Sequence, residues 1–316
     1  MRDDSISRRQ ALAGLGLAGL SASSRAATEP ALKLRICLMS KFVQFLSVPD
    51  MAAKARELGF DGIDLCVRGG AHVLPERAKD DLPKAFEAVR KEGLEMPMIT
   101  AGIVDARSPH AEDILKTAHS LGIRYYRWGG LSYKGDKSIP AQIEAFKPGV
   151  NELAALNKQY DICAMYHTHS GLGMVGASIW DLWLLLKDFD SRWVGVNYDV
   201  GHATVEGGYG GWRNTFRLTT PYLKGIAIKD FKWGQDQRGN WIPLWIPIGQ
   251  GMVNFKQYFP MLKSVAFSGP VQMHYEYPLG GVENGATRPA ISEAEVYSNM
   301  HRDLKTLRTW MAEAGL

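Results

Sequence analysis

The 316-residue sequence predicts a single-domain (β/α)8 barrel, and three observations carry that prediction. Short apolar runs alternate eight times with amphipathic ones. Several of the apolar runs are hydrophobic on both faces, as buried parallel strands are. Glycines recur just after a helical pattern and shortly before a strand, where a left-handed residue caps a helix.

The strand-like runs cover residues 34–38, 62–67, 96–100, 123–128, 162–167, 194–199, 225–229 and 271–276. Helical periodicity fills the intervals at 49–58, 81–91, 111–121, 139–156, 179–189, 212–222, 255–265 and 293–314. Gly59, Gly93 and Gly122 supply the caps after the first three helices. An open doubly wound sheet is the competing architecture. It is disfavoured because no Gly-x-Gly-x-x-Gly follows the first strand. The longest irregular stretch, 231–254, carries Trp233, Trp241 and Trp245 and follows the seventh strand, so it should overhang the catalytic face. Its indoles either stack on a sugar or pack on the barrel rim.

Residues 1–26 read as an export leader, to be kept apart from a barrel spanning 27–316. Arg8-Arg9 precedes the small, apolar run Ala11 to Leu20, and Ser24-Arg25-Ala26 offers small residues for cleavage. The arginine pair matches a twin-arginine signal; an ordinary secretory leader with two incidental arginines is the alternative. Either implies a periplasmic protein with no membrane attachment after cleavage. The composition is that of a globular protein, 46% hydrophobic and 22% charged, with net charge +4 and no long basic run, which gives no case for nucleic acid. Cys37, Cys66 and Cys163 fall inside predicted strands with no paired spacing, so they read as buried thiols.

The chemistry gathers at strand ends. Of eight histidines, His72, His167, His169, His202 and His274 fall at or just after predicted strands. Side chains alternate along a strand, so His167 with His169, Asn197 with Asp199, and His274 with Glu276 share faces. Closure of a barrel would bring His167, Asp199 and His274 together as two imidazoles and a carboxylate. That open set suits a divalent ion such as Mn, Mg, Zn or Co, which would stabilise the enediolate formed when a proton leaves a carbon beside a carbonyl.

Ala164-Met165-Tyr166-His167-Thr168-His169, Tyr198-Asp199-Val200-Gly201-His202-Ala203, Ile228-Lys229-Asp230 and His274-Tyr275-Glu276 resemble the strand ends of the xylose isomerase-like TIM-barrel superfamily of sugar isomerases, epimerases and inosose dehydratases. Pro247-Ile248-Gly249-Gln250-Gly251 is similar to that family's glycine turn. The resemblance implies a metal held by Glu, Asp, His and Glu; this chain keeps only the aspartate, as Asp199, with His167, Ala227 and His274 at the other positions. It further implies His202 as a substrate contact or a partner of the ligands, and Lys229 as an oxyanion stabiliser oriented by Asp230. His169 and Glu276 are the candidate bases, one step outward from a ligand on the same strand. Arg68, His72 and Glu76 after the second strand, and Arg127 and Tyr133 around the fourth, fall on the same face, and Trp233 on the overhanging loop. The expected activity is a metal-dependent sugar isomerase or epimerase acting on a small carbohydrate or polyol. The alternatives are a lyase or dehydratase on a keto-sugar or keto-glycoside, and a carbohydrate-binding protein without catalysis, for which Ala227 is the chief argument.

Overall fold

The chain's first strand, β1 (Ile36–Met39), is buried at every position, and the computed structural model, which describes residues 34–135 and 137–316, builds the barrel outward from it. The expected leader lies outside the described residues. Helix α1 (Val48–Leu58) shows how local chemistry sets the boundaries. Ser47 accepts from the Asp50 N–H, Pro49 sits in the first turn, and Gly59 ends the helix at φ 93°. Next come β2 (Gly62–Val67), α2 (Ala78–Lys91), β3 (Glu95–Ala101), α3 (Ala111–Ser120), β4 (Tyr125–Trp128), α4 (Ile139–Gln159), β5 (Cys163–His167), α5 (Trp180–Leu186) and β6 (Val194–Asp199). The rest comprises α6 (Val200–Gly207), α7 (Gly211–Thr219), β7 (Leu223–Ile228), β8 (Asp230–Gln235), β9 (Trp241–Ile246), α8 (Phe255–Ser264), β10 (Val271–Met273) and α9 (Glu293–Ala314).

Eight parallel strands close in the order β1-β10-β7-β6-β5-β4-β3-β2, which is the predicted barrel. Outward-facing strand residues pack against the helices: Tyr126, for example, is buried and donates through its hydroxyl to Asn157 Oδ1 of α4 at 2.8 Å. Alternation then turns Arg127 inward. Unusually for such a barrel, whose interior layers are mostly branched and apolar, one layer here is polar: Asp64, Thr100, Asn197 and Gln272 are each at most 2% exposed. The three cysteines are free and buried, and burial pushes the Cys163 thiol up to about 12, as suits an inert packing residue. Among the described residues no helix is long and apolar enough to cross a membrane.

Two expectations need correction. The stretch after the seventh strand is not irregular. β8 and β9 form an antiparallel hairpin whose turn is held by Asp236, accepting from the N–H groups of Arg238 and Asn240. Its alternating Phe231/Trp233 and Pro243/Trp245 are the strand signal that was passed over. Second, the interval between the predicted strand 194–199 and the predicted helix 212–222 holds a further helix, α6, which starts without a break from β6. The last strand is also shorter than expected, so His274 and Glu276 stand beyond β10 in the open mouth.

Candidate active site

Four neighbouring parallel strands frame the central residues. In register, His167 of β5 lies beside Asn197 of β6, Asp199 beside Ala227 of β7, and Ala227 beside Gln272 of β10. Asp199 ends its strand and caps the next helix: Oδ1 accepts from the His202 N–H at 3.0 Å. The turn is tight enough to require glycine at 201, where a Cβ would come within 2.8 Å of Lys229 Cγ and 3.1 Å of its carbonyl oxygen. Asp199 N–H in turn donates to Thr168 Oγ1 at 2.9 Å, tying β5 to β6.

Asp199 Oδ2 faces the barrel axis, 3.7 Å from His167 Nε2 and 3.8 Å from His274 Nδ1. One ligand atom from each of these residues lies within 4.8 Å of the others. All three residues are at most 4% exposed. Of the seven buried side-chain atoms without a hydrogen-bond partner among the described residues, four belong to this triad: His167 Nε2, Asp199 Oδ2 and both ring nitrogens of His274. Orphaned buried polar atoms are costly and rare, so four together mark a place built for something else. Ligands each about 2.0–2.2 Å from a tetrahedral ion lie about 3.3–3.6 Å apart, and the two separations from Asp199 Oδ2 need close by only a few tenths of an ångström. Burial, reinforced by Arg127 and Lys229, keeps His167 well below the usual imidazole range, and burial lowers His274 as well. Both rings are therefore neutral, the state in which imidazole binds metal. The residues present fit a divalent ion although Ala227 offers no ligand.

A chain of side chains supports His167 from inside the barrel. Asp64 accepts from Thr100 Oγ1 at 2.8 Å and from Gln272 Nε2 at 2.5 Å; Asn197 Nδ2 donates to Gln272 Oε1 and lies 3.3 Å from His167 Nδ1. As placed, the Asn197 amide leaves its Oδ1 orphaned. Turning both amides about would let Oδ1 accept from His167 Nδ1–H and free Nε2 as a lone pair toward the ion, provided Asp64, whose pKa burial raises to about 6, is protonated and donates to the turned Gln272 Oε1. This layer was missed in the sequence, where Asp64, a charge in the middle of the apolar run Gly62-Ile63-Asp64-Leu65-Cys66, was the signal.

Around the triad the candidate residues divide. Lys229, 1% exposed, donates to Glu276 Oε2 at 2.7 Å and to His202 Nε2 at 2.5 Å, and its Nζ stands 3.3 Å from Asp199 Oδ2 without hydrogen-bond alignment. With two hydrogens directed at Glu276 and His202 and its charge beside Asp199, it is a charge anchor, not the free oxyanion donor expected. Burial alone would raise the Glu276 pKa, but Lys229 and His274 outweigh it and hold this carboxylate well below its ordinary value. His202 is 2% exposed, with Nε2 facing Lys229 and Nδ1 facing Ser170 Oγ at 2.7 Å, so it braces the site from behind. His169 differs. Its Nδ1 lies 2.7 Å from the Ser170 carbonyl, which places the proton there and leaves Nε2 as an open lone pair. The ring stacks on His202 at 3.8 Å and lines a cavity of about 240 Å³ with His167, Arg68 and Arg127.

The remaining candidates stand elsewhere. Asp230 does not orient Lys229: Oδ1 accepts from Phe231 and Val253 N–H, and Oδ2 from Gly249 and Gly251 N–H. It anchors the glycine turn, and a Cβ at Gly251 would fall 2.2 Å from Oδ1. His72 lies outside the cluster, its Nε2 3.1 Å from the Leu46 carbonyl. Tyr133 donates to Asp181 at 2.5 Å, and Glu76 is exposed. Trp233 lines a separate hollow with Thr204, Trp212 and Met252; the indole that reaches the site is Trp245, 4.8 Å from the His202 ring and 4.3 Å from Lys229 Nζ.

A closed parallel barrel with imidazoles and carboxylates gathered at the carboxyl ends of its strands defines a TIM-barrel protein whose site lies where such barrels keep theirs. The chain belongs to the xylose isomerase-like TIM barrel family, whose sequence profile matches residues 52–297. Among solved structures it resembles the IolI protein with a bound zinc atom (14% identity, TM-score 0.68, covering 89% of this chain and 99% of that one). It also resembles the 3-keto-D-glucoside 4-epimerase YcjR of E. coli (15% identity, TM-score 0.63, covering 88% and 100%). At these identities the likeness is one of fold. A stretch of 153 residues is 24% identical to the protein MJ1311 of Methanocaldococcus jannaschii, covering 46% of this chain and 47% of that protein.

Proposed function

We propose that the chain is a divalent-metal-dependent sugar isomerase or epimerase that works by enolisation next to a carbonyl. The observation that carries this reading is the cluster of orphaned ligand atoms on His167, Asp199 and His274. A bound divalent ion would supply Lewis acidity toward the substrate's carbonyl and adjacent hydroxyl oxygens. The protein's own part begins at His169, whose open Nε2 takes the proton from the carbon beside the carbonyl while the C–H electron pair moves into the carbonyl and places negative charge on its oxygen. Passage of the adjacent hydroxyl's proton to that oxygen, and return of the abstracted proton to the former carbonyl carbon, complete an aldose–ketose isomerisation with no net redox change. Lys229 fixes Asp199, Glu276 and His202 in place throughout. The structural neighbours named as epimerases and as a zinc-binding relative support a sugar substrate and a metal.

A second reading, a lyase or dehydratase, is favoured by one observation. Glu276, the only other candidate base, is clamped by Lys229 at 2.7 Å. A site with one open base suits loss of a β-substituent from the enolate better than inversion, which needs a second base on the opposite face.

The test combines metal analysis of protein purified without chelator with incubation of keto-sugars and keto-glycosides in deuterated water. Deuterium uptake with the glycosidic bond intact supports isomerase or epimerase, and release of the aglycone or water supports the lyase. Absence of metal from both wild type and Asp199→Ala removes the metal from the mechanism, and binding without exchange leaves a carbohydrate-binding protein.

A further inference from the structure

The two walls of the cleft differ in how their charges are matched. On the β6, β7 and β10 side, Asp199 and Glu276 share Lys229. On the β2 and β4 side, Arg68 and Arg127 line the same cavity as His167 and His169, and among the described residues neither guanidinium makes a hydrogen bond or ion pair. The one carboxylate beneath them, Asp64, already accepts from Thr100 and Gln272. Lys41, in the turn after β1, feels both arginines as well, and it makes no ion pair among the described residues. Burial disfavours the charge on Arg127, Asp64 and Glu276 favour it, and Arg68 opposes it. A guanidinium stays protonated whatever its surroundings, and the two carboxylates that favour the Arg127 charge, Asp64 and Glu276, are already engaged by Thr100, Gln272 and Lys229, so two guanidiniums without a direct partner turned into one cleft form an electrostatic demand that a ligand can meet. Their planar forks match the geometry of carboxylate and phosphate oxygens.

We propose that this cleft takes an acidic sugar, one whose carboxylate or phosphate is gripped by Arg68 and Arg127 while its carbonyl end faces His167, Asp199 and His274. The proposal rests on the reading of the cleft as a sugar site, but not on the metal or on turnover. A neutral hexose of the same size would leave both arginines buried and unpaired, and the penalty for that is the source of the selectivity. Neither guanidinium makes an ion pair or hydrogen bond that holds the barrel together among the described residues.

The experiment is equilibrium binding by titration calorimetry on the full chain, using glucuronate, glucose 6-phosphate and glucose as probes, alongside metal analysis of the same samples. A charged sugar should bind about 10- to 100-fold more tightly than glucose, the scale of a charge-assisted pair. Arg127→Gln and Arg68→Gln should each remove most of that preference, while Arg127→Lys, which keeps the charge and loses the fork, should recover part of it. Glucuronate ahead of glucose 6-phosphate identifies a sugar acid, and the reverse order a sugar phosphate. Arginine-dependent binding without metal or deuterium exchange would leave this inference standing while the catalytic reading fails. Equal affinity for glucose and the charged sugars, no binding of either charged sugar, or undiminished preference in both Gln variants overturns it.

Discussion

Asp199 ends β6 and Asp230 opens β8 just beyond the neighbouring β7, each at most 1% exposed, and they do opposite work. Asp230 spends both oxygens on four backbone N–H groups of the turn that brings the chain back from the β8–β9 hairpin. Asp199 spends one oxygen on a helix cap and aims the other at two neutral imidazoles, with the Lys229 charge 3.3 Å away and no hydrogen bond made. Burial raises the pKa of both, and each has partners that pull the other way: Lys229 first for Asp199, backbone N–H groups for Asp230. Burial and charge therefore do not separate a structural carboxylate from a functional one. The count of satisfied lone pairs does.

The sharpest way to break this contrast is Asp199→Asn, which keeps the cap on α6 but removes the ligand charge. Metal content should fall to background and deuterium exchange should drop about 10³-fold. Thermal stability should change little, and chelation of the wild type should reproduce the loss. Asp230→Ala should give the mirror result. With four N–H groups orphaned, it should lose about 3 kcal/mol of stability by denaturant titration and show faster hydrogen exchange from Gly249 to Val253. Bound metal should remain. If Asp230→Ala instead strips the metal while leaving stability intact, the distinction drawn between the two aspartates is wrong.

Asp64→Asn tests the polar layer that joins the barrel floor to His167. Burial raises the Asp64 pKa to about 6 against an ordinary value of 3.8. A carboxyl raised in the folded state binds more protons than in the unfolded chain between those values, so the wild type loses stability as pH rises from about 4 to about 6. At pH 7 the isosteric Asn variant should be more stable by about 2–3 kcal/mol, with the gap closing below pH 4, as thermal scans across that range would show. Its metal affinity, read by competition with a chelating dye, should fall about 10-fold because the support for His167 is altered. The smallest effect should come from Trp245→Ala. It removes the ring under Lys229 and beside His202 at a cost of about 1–2 kcal/mol, whereas Trp233→Ala should leave stability and exchange rate unchanged.

The barrel was legible because its signals are local. Alternating apolar periods, caps such as Ser47 and Gly59, and strands buried on both faces each depend on neighbours within a few residues. The hairpin was hidden because its strands are short, rich in aromatics and interrupted by Pro243, and α6 was hidden because Gly201 reads as a turn until the closeness of Lys229 shows why no larger residue fits. Residue types at the site were legible too, since His167, Asp199 and His274 stand at strand ends where alternation points them inward.

Partnership was not legible. Lys229 looks like a catalytic cation in sequence, yet it is engaged by groups 27 to 47 residues away. Asp230 next to it looks like its orienting carboxylate, yet it binds a turn some twenty residues on. Sequence alone determined which residues reach the mouth of the barrel, because that follows from strand period and strand order. Only the closed tertiary structure decided which of them are already satisfied, because hydrogen bonds and ion pairs form across strands whose separation in the chain carries no pattern. The atoms left over after that pairing, four on the triad without a hydrogen bond and two guanidiniums without an ion pair among the described residues, are what a ligand has to complete.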